Sequence, residues 1–166
     1  MKVAFGGTGV WLSDGATNVM PVGPHRAPKG GSLTDAQQNE NRDVVFASWK
    51  LAYDNITHAL ENGFYQGWDL HPAQLVVRYG ATYAFFLQGF EQAAHRLRNF
   101  IDKAAQATLV GDVFDDAATG QGLLNYFLCG LNCGAVSLEE LASTGLTQEE
   151  VETRSFVKIL AGRSHK

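Results

Sequence analysis

The feature that most constrains this chain is an aromatic stripe. Tyr79, Tyr83, Phe86, Phe90, Leu97 and Ile101 recur at helical spacing and predict one long helix, from about Pro72 to about Thr108. Phe85 and Phe100 lie off the stripe, so the helix is apolar on more than one side. Its polar run is confined to Glu91, Gln92, His95, Arg96, Arg98 and Asn99. Such a helix has to be buried, either in the chain's own core or against a second chain. The composition agrees: 45% of residues are apolar and only 18% charged, a low figure for a small soluble monomer.

The approach to that helix carries unusual chemistry. Phe64-Tyr65-Gln66-Gly67-Trp68-Asp69-Leu70 has β-type residues and the length of a short strand. His71 precedes a proline and is therefore pushed toward an extended conformation. Pro72 suits the first position of a helix, where its missing N–H costs nothing. On a strand Asp69 and His71 share one face, and Trp68 and Leu70 the other. His71 is a candidate general acid/base, and Asp69 is placed to hold its tautomer or to bind substrate. The competing reading is a helix cap made by either residue. Gln74, one turn further on, is placed to bond back to the strand end.

Upstream, Val10-Trp11-Leu12 reads as a brief buried strand that ends in the turn-rich run Ser13 to Asn18. Asp14 there is a candidate catalytic residue and Asn18 a candidate substrate ligand. The alternative is an Asx-type turn through Ser13 and Asp14, with Gly15 supplying a positive φ. Residues 23–41 read as a long loop and residues 42–62 as a helix, stopped by Asn62-Gly63. Downstream, Asp115 or Asp116 is placed to cap a helix bearing Leu123, Leu124, Phe127, Leu128 and Leu131. Ser137–Glu140 and Thr147–Glu150 are capping boxes, the second opening a last helix that ends near Gly162.

Several functions are disfavoured. Gly6-Gly7-Thr8-Gly9 lacks the Gly-Lys-Ser/Thr of a phosphate loop and the third glycine of a dinucleotide fingerprint, so it reads as a flexible lead-in to a strand. The net charge is −4 and there is no basic stripe, which argues against nucleic acid. No run approaches the ~18 apolar residues of a membrane span. No secretory signal is visible, so the expected location is the cytoplasm. Cys129 and Cys133 read as packed thiols. His25, His58, His95 and His165 have no partners at ligand spacing, and no metal ligands are assigned within the chain.

The run Gly63 to Gln74, with its Leu-His-Pro-x-Gln core, resembles the last strand of the HpcH/HpaI aldolase and citrate lyase β-subunit family. Leu12 to Gly23 is similar to the penultimate strand and loop of an uncharacterised aldolase-like branch. Ala118-Thr119-Gly120-Gln121 and Leu128 to Gly134 match the tail of that branch. The resemblance implies a (β/α)8 barrel that makes or cleaves a carbon–carbon bond in a 2-oxo acid or acyl-CoA, using Mg2+ to hold the enolate. A whole barrel needs about 200–250 residues, and the strands with the family's arginine and metal ligands are not here. The resulting expectation is an α/β fold. Residues 1–108 would form the C-terminal fragment of a TIM barrel, about two βα units, and residues 109–166 a mostly helical extension. Met1 to Phe5 would be a helix remnant. The implied activity is that of a metal-dependent lyase completed by an upstream barrel half or by further copies of the chain, with Asp14, Asn18, Asp69 and His71 on the active-site rim. The alternative is a non-catalytic helical assembly module.

Overall fold

The structure, a computed structural model, describes residues 2–5, 10, 12, 13, 15–109 and 117–164. The described elements are helices. A single turn, α1 (Lys2–Phe5), is followed by α2 (Asp35–Glu61), α3 (Leu75–Leu109), α4 (Ala117–Asn132), α5 (Leu138–Leu141), α6 (Gln148–Glu152) and α7 (Phe156–Ser164). Short 3-10 turns at Pro72–Gln74 and Ala142–Thr144 lead into α3 and out of α5.

This corrects the expectation of an α/β TIM-barrel fragment. Among the described residues no strand forms, and the β pairing there is an isolated parallel bridge between Gln66 and Ser13, the residue that follows the first expected strand. The physical reason is the absence of a ladder. Two short parallel segments can offer each other few bonds, and a lasting sheet needs more strands. Side chains satisfy the neighbouring backbone instead. Gln74 accepts from the N–H groups of Leu70 and His71, and Arg78 donates to the carbonyl of Trp68. β-type composition makes this stretch extended without making it a strand.

The helices follow their sequence signals where those are local. α2 starts seven residues before the expected position 42, because Thr34 and Gln37 form a capping box. Thr34 Oγ1 accepts from Gln37 N at 3.3 Å, and Gln37 Oε1 accepts from Thr34 N at 3.0 Å. α2 ends where Gly63 turns to a φ of 76° and Phe64 N returns to Ala59 O. The capping boxes at Ser137/Glu140 and Thr147/Glu150 are both formed. The expected last helix is broken into α6 and α7, with Arg154 at a φ of 52° between them. Asp115 and Asp116 lie outside the described residues.

The chain forms two compact units, Met1–Phe85 and Phe86–Lys166, and the division falls inside α3. The second unit has a full core, in which Leu97, Ile101, Leu124, Phe127, Leu141, Phe156 and Ile159 are all at most 2% exposed. Gly120 is essential to it: the Phe156 ring occupies the place a Cβ would take. Cys129 and Cys133 form no disulfide with each other and are half-buried in this unit. The first unit has a smaller core of Ile56, Leu60 and Ala81, with Val77 and Phe85 packed against it. Of the large apolar side chains that lie exposed among the described residues, all but Leu87, Leu138 and Val157 belong to the first unit.

Candidate functional site

The junction before α3 is organised by one buried amide. Gln74 is 1% exposed. Its Oε1 accepts from Leu70 N at 2.8 Å and from His71 N at 3.1 Å. Its Nε2 donates to Thr17 O at 2.8 Å and lies 3.4 Å from Val19 O. One side chain thereby ties residues 17–19 to residues 70–71. Further bonds fasten the same stretches to α2. Asn55 Nδ2 donates to Thr17 Oγ1 at 3.0 Å, and Trp49 Nε1 donates to Ala73 O at 2.8 Å. Ser48 Oγ lies 2.8 Å from Val44 O and 3.3 Å from Met20 O, so its single proton is shared between two carbonyls.

His71 is extended, with φ −145° and ψ 139°, as the following proline requires. Its Nδ1 accepts from Ala73 N at 3.1 Å. That bond caps the 3-10 turn and assigns the ring proton to Nε2. The neutral ring can therefore donate at Nε2, and its acceptor nitrogen is already used. Both oxygens of Asp69 are taken by Arg78, with contacts of 3.0–3.2 Å from Nε and Nη2. Arg78 Nη2 also donates to Trp68 O at 3.1 Å. Gly67 makes room for this pair, because a Cβ there would strike the guanidinium. Asp69 thus binds a cation supplied by α3 rather than holding the tautomer of His71.

Of the remaining candidates, Asn18 is exposed, on the stretch that Gln74 holds. Asp14 lies outside the described residues. Beside it, Ser13 Oγ accepts from Gly15 N at 3.2 Å, and Gly15 has a φ of 109°, so the turn is made through Ser13. The structure brings the surroundings of Asn18 and His71 together through Gln74 and draws Asp69 away into an ion pair.

The group that the resemblance implies, Mg2+, does not fit the described residues. Among the described residues no three His, Cys, Asp or Glu side chains gather to hold an ion. Asp69, the candidate carboxylate, is neutralised by Arg78. A cavity of about 370 Å3 exists elsewhere, in the second unit, lined by Leu128, Leu131, Leu138 and Val151 and by the polar Asn132, Glu152 and Arg154. It contains none of the candidate residues.

The junction has one further property that residue-by-residue motif reading misses. Between Glu61 and Glu91 the only Asp, Glu, Lys or Arg residues are Asp69 and Arg78, and they pair with each other. In the same stretch large apolar side chains stand open: Trp68 is 61% exposed, Leu70 49%, Val76 66% and Tyr79 56%. Leu75 is also exposed. Charge depletion together with open aromatic and branched side chains is the composition of an interface core. No described helix is long and apolar enough to cross a membrane.

The family model described as "Domain of unknown function (DUF6986)" matches residues 1–159, nearly the whole chain. No curated protein and no solved structure matches it. The chain belongs to the DUF6986 family.

Proposed function

We propose that this member of the DUF6986 family is a helical assembly module, which docks through its first unit onto another protein surface. The observation that carries the reading is the stretch between Glu61 and Glu91. It holds no charge outside the internal Asp69–Arg78 pair, yet Trp68, Leu70, Leu75, Val76 and Tyr79 face solvent. Water-exposed apolar surface of this kind costs about 25 cal/mol per Å2, and a docked partner recovers it. The polar network around Gln74 supports the same reading. It spends its donors and acceptors on holding the junction rigid, and a preorganised face binds at lower entropic cost.

Size in a cell extract tests the reading. The tagged full chain should elute well above its own mass, and Val76→Glu should shift it to the position of a single chain. Elution of the unaltered chain as a single chain would overturn the assembly reading.

One observation favours a second reading, that the chain is part of a carbon–carbon lyase. Gln74 bonds to the carbonyls on either side of Asn18 and accepts from His71 N, so the backbones that carry these two polar side chains are tied to one amide. The Asn18 amide and the His71 Nε2–H could together bind the carboxylate or developing oxyanion of a 2-oxo acid. The test is exchange of the methyl protons of pyruvate in D2O, followed by NMR with and without Mg2+. Exchange no faster than in buffer contradicts this second reading.

A further inference from the structure

We propose that the cavity of the second unit binds a free amino acid with a large apolar side chain, a site independent of the assembly reading above. Leu128 and Leu131 on α4, Leu138 on α5 and Val151 on α6 give it an apolar wall. Its volume of about 370 Å3 falls in the range of small-ligand sites. Two opposite charges, Glu152 and Arg154, share the lining with the amide of Asn132. Among the described residues neither charge is in an ion pair, with the other or with a third residue. Glu152 Oε1 accepts from Gln148 Nε2 at 3.0 Å, and the Arg154 guanidinium has no partner among the described residues. A neutral apolar ligand would leave both charges unanswered. A simple carboxylic acid would answer Arg154 and bring a like charge toward Glu152. A zwitterion answers both, with its carboxylate at Arg154 and its ammonium at Glu152.

The backbone singles out Arg154 independently. Helical segments of this chain leave through left-handed residues. These are Gly63 after α2, Gly134 after α4 and Gly145 after the 3-10 turn at Ala142–Thr144, with φ of 76°, 75° and 79°. After α6 the corresponding place is held by Arg154, with φ 52°. Glycine adopts this conformation without strain, and arginine does not. Arg154 is the one non-glycine residue with a positive φ among the described residues, and it is the one in the cavity lining. A strained residue of this kind persists where its neighbours hold it, and such residues gather at ligand sites. The neighbours here do hold it. Gln121 Oε1 accepts from Phe156 N at 2.8 Å, and Gln121 Nε2 donates to Arg154 O at 3.2 Å. Thr153 Oγ1 accepts from Ser155 N at 3.3 Å and donates to Glu150 O at 2.7 Å. The cation is therefore carried on a fixed turn, ready for a carboxylate.

Calorimetric titration of the full chain with L-phenylalanine and L-leucine tests the proposal. Each is compared with its counterpart lacking the ammonium (hydrocinnamate, isocaproate) or the carboxylate (phenethylamine, isoamylamine). The expected result is saturable binding of at least one amino acid, with both of its counterparts about tenfold weaker or more. Arg154→Gly should weaken that binding by about tenfold or more without lowering the midpoint of thermal unfolding, because glycine suits the left-handed turn. Glu152→Gln should weaken the amino acid to a similar degree and leave the ammonium-free acid no weaker. Absence of binding by both amino acids up to millimolar concentration overturns the proposal. So does a counterpart that binds as tightly as its amino acid, since the ligand is then not read as a zwitterion. Binding that survives Arg154→Gly unchanged also overturns it, because the amino acid would then sit elsewhere.

Discussion

Asp69 and Arg78 form a two-pronged ion pair across nine residues, with Nη2 to Oδ1 at 3.0 Å and both side chains less than a quarter exposed. The same guanidinium donates to Trp68 O. It thereby links the extended stretch to the first turns of α3. The pair is partly shielded from water, so removing one partner leaves the other uncompensated. Arg78→Ala should lower stability by about 1–3 kcal/mol, and Arg78→Lys should recover less than half, since an ammonium cannot make the forked contact. Urea unfolding of both variants measures this. A midpoint unchanged by Arg78→Ala would contradict the structural role of the pair.

Gln74 is the next test. Gln74→Leu keeps the volume and strands the N–H groups of Leu70 and His71 together with the carbonyl of Thr17. The expected loss is about 2–4 kcal/mol, from several unsatisfied backbone groups. Amide hydrogen exchange at Leu70 and His71 should accelerate more than at Leu97, which lies in the other core. Equal protection before and after the substitution would show that Gln74 is not the fastening.

The close approach of Gly120 and Phe156 gives a third. Gly120→Ala places a methyl where the Phe156 ring sits, and it should destabilise by about 1–3 kcal/mol despite better helix propensity. Adding Phe156→Leu should return part of that loss, because the two changes share one space. Strictly additive effects in the double variant would contradict the packing.

Cys129 supplies a pH dependence. Burial, and then the neighbouring Cys133, push its thiol above the ordinary value. A group with a raised folded pKa contributes stability that is fully present below the unfolded value and is lost as pH rises through the folded one. Stability should therefore fall on the alkaline side of the ordinary thiol range, and Cys129→Ala should flatten that fall. Alkylation of Cys129 near pH 8 should also be slower than for a free thiol. Alkylation at the free-thiol rate would contradict its protected state.

Most local signals in this chain were readable and non-local ones were not. The boxes at Ser137/Glu140 and Thr147/Glu150 lie within four residues and form as read, while the equally local box at Thr34/Gln37 falls in the stretch read as a loop. The stripe from Tyr79 to Ile101 lies within α3. The stretch Phe64 to Leu70 misleads, because its β-type residues specify extension and a strand also needs a partner that the sequence does not display. The same limit governs the site. His71 as a cap follows from its place before Pro72, but the Asp69–Arg78 pair depends on the 3-10 turn between them, and Gln74 reaching Thr17 spans 57 residues. What could have been read is the pair's isolation: one acid and one base alone in a charge-free run point to each other.

The central claim, that the Trp68–Tyr79 face is covered in the assembled protein, is tested most directly by a cysteine placed at Val76 in a background with Cys129 and Cys133 replaced by alanine. Maleimide labelling of the native particle would be compared with labelling after Tyr79→Glu has been added. The account predicts slow labelling in the native particle and fast labelling once the face is opened. Labelling of the native particle as fast as that of a free cysteine would contradict it.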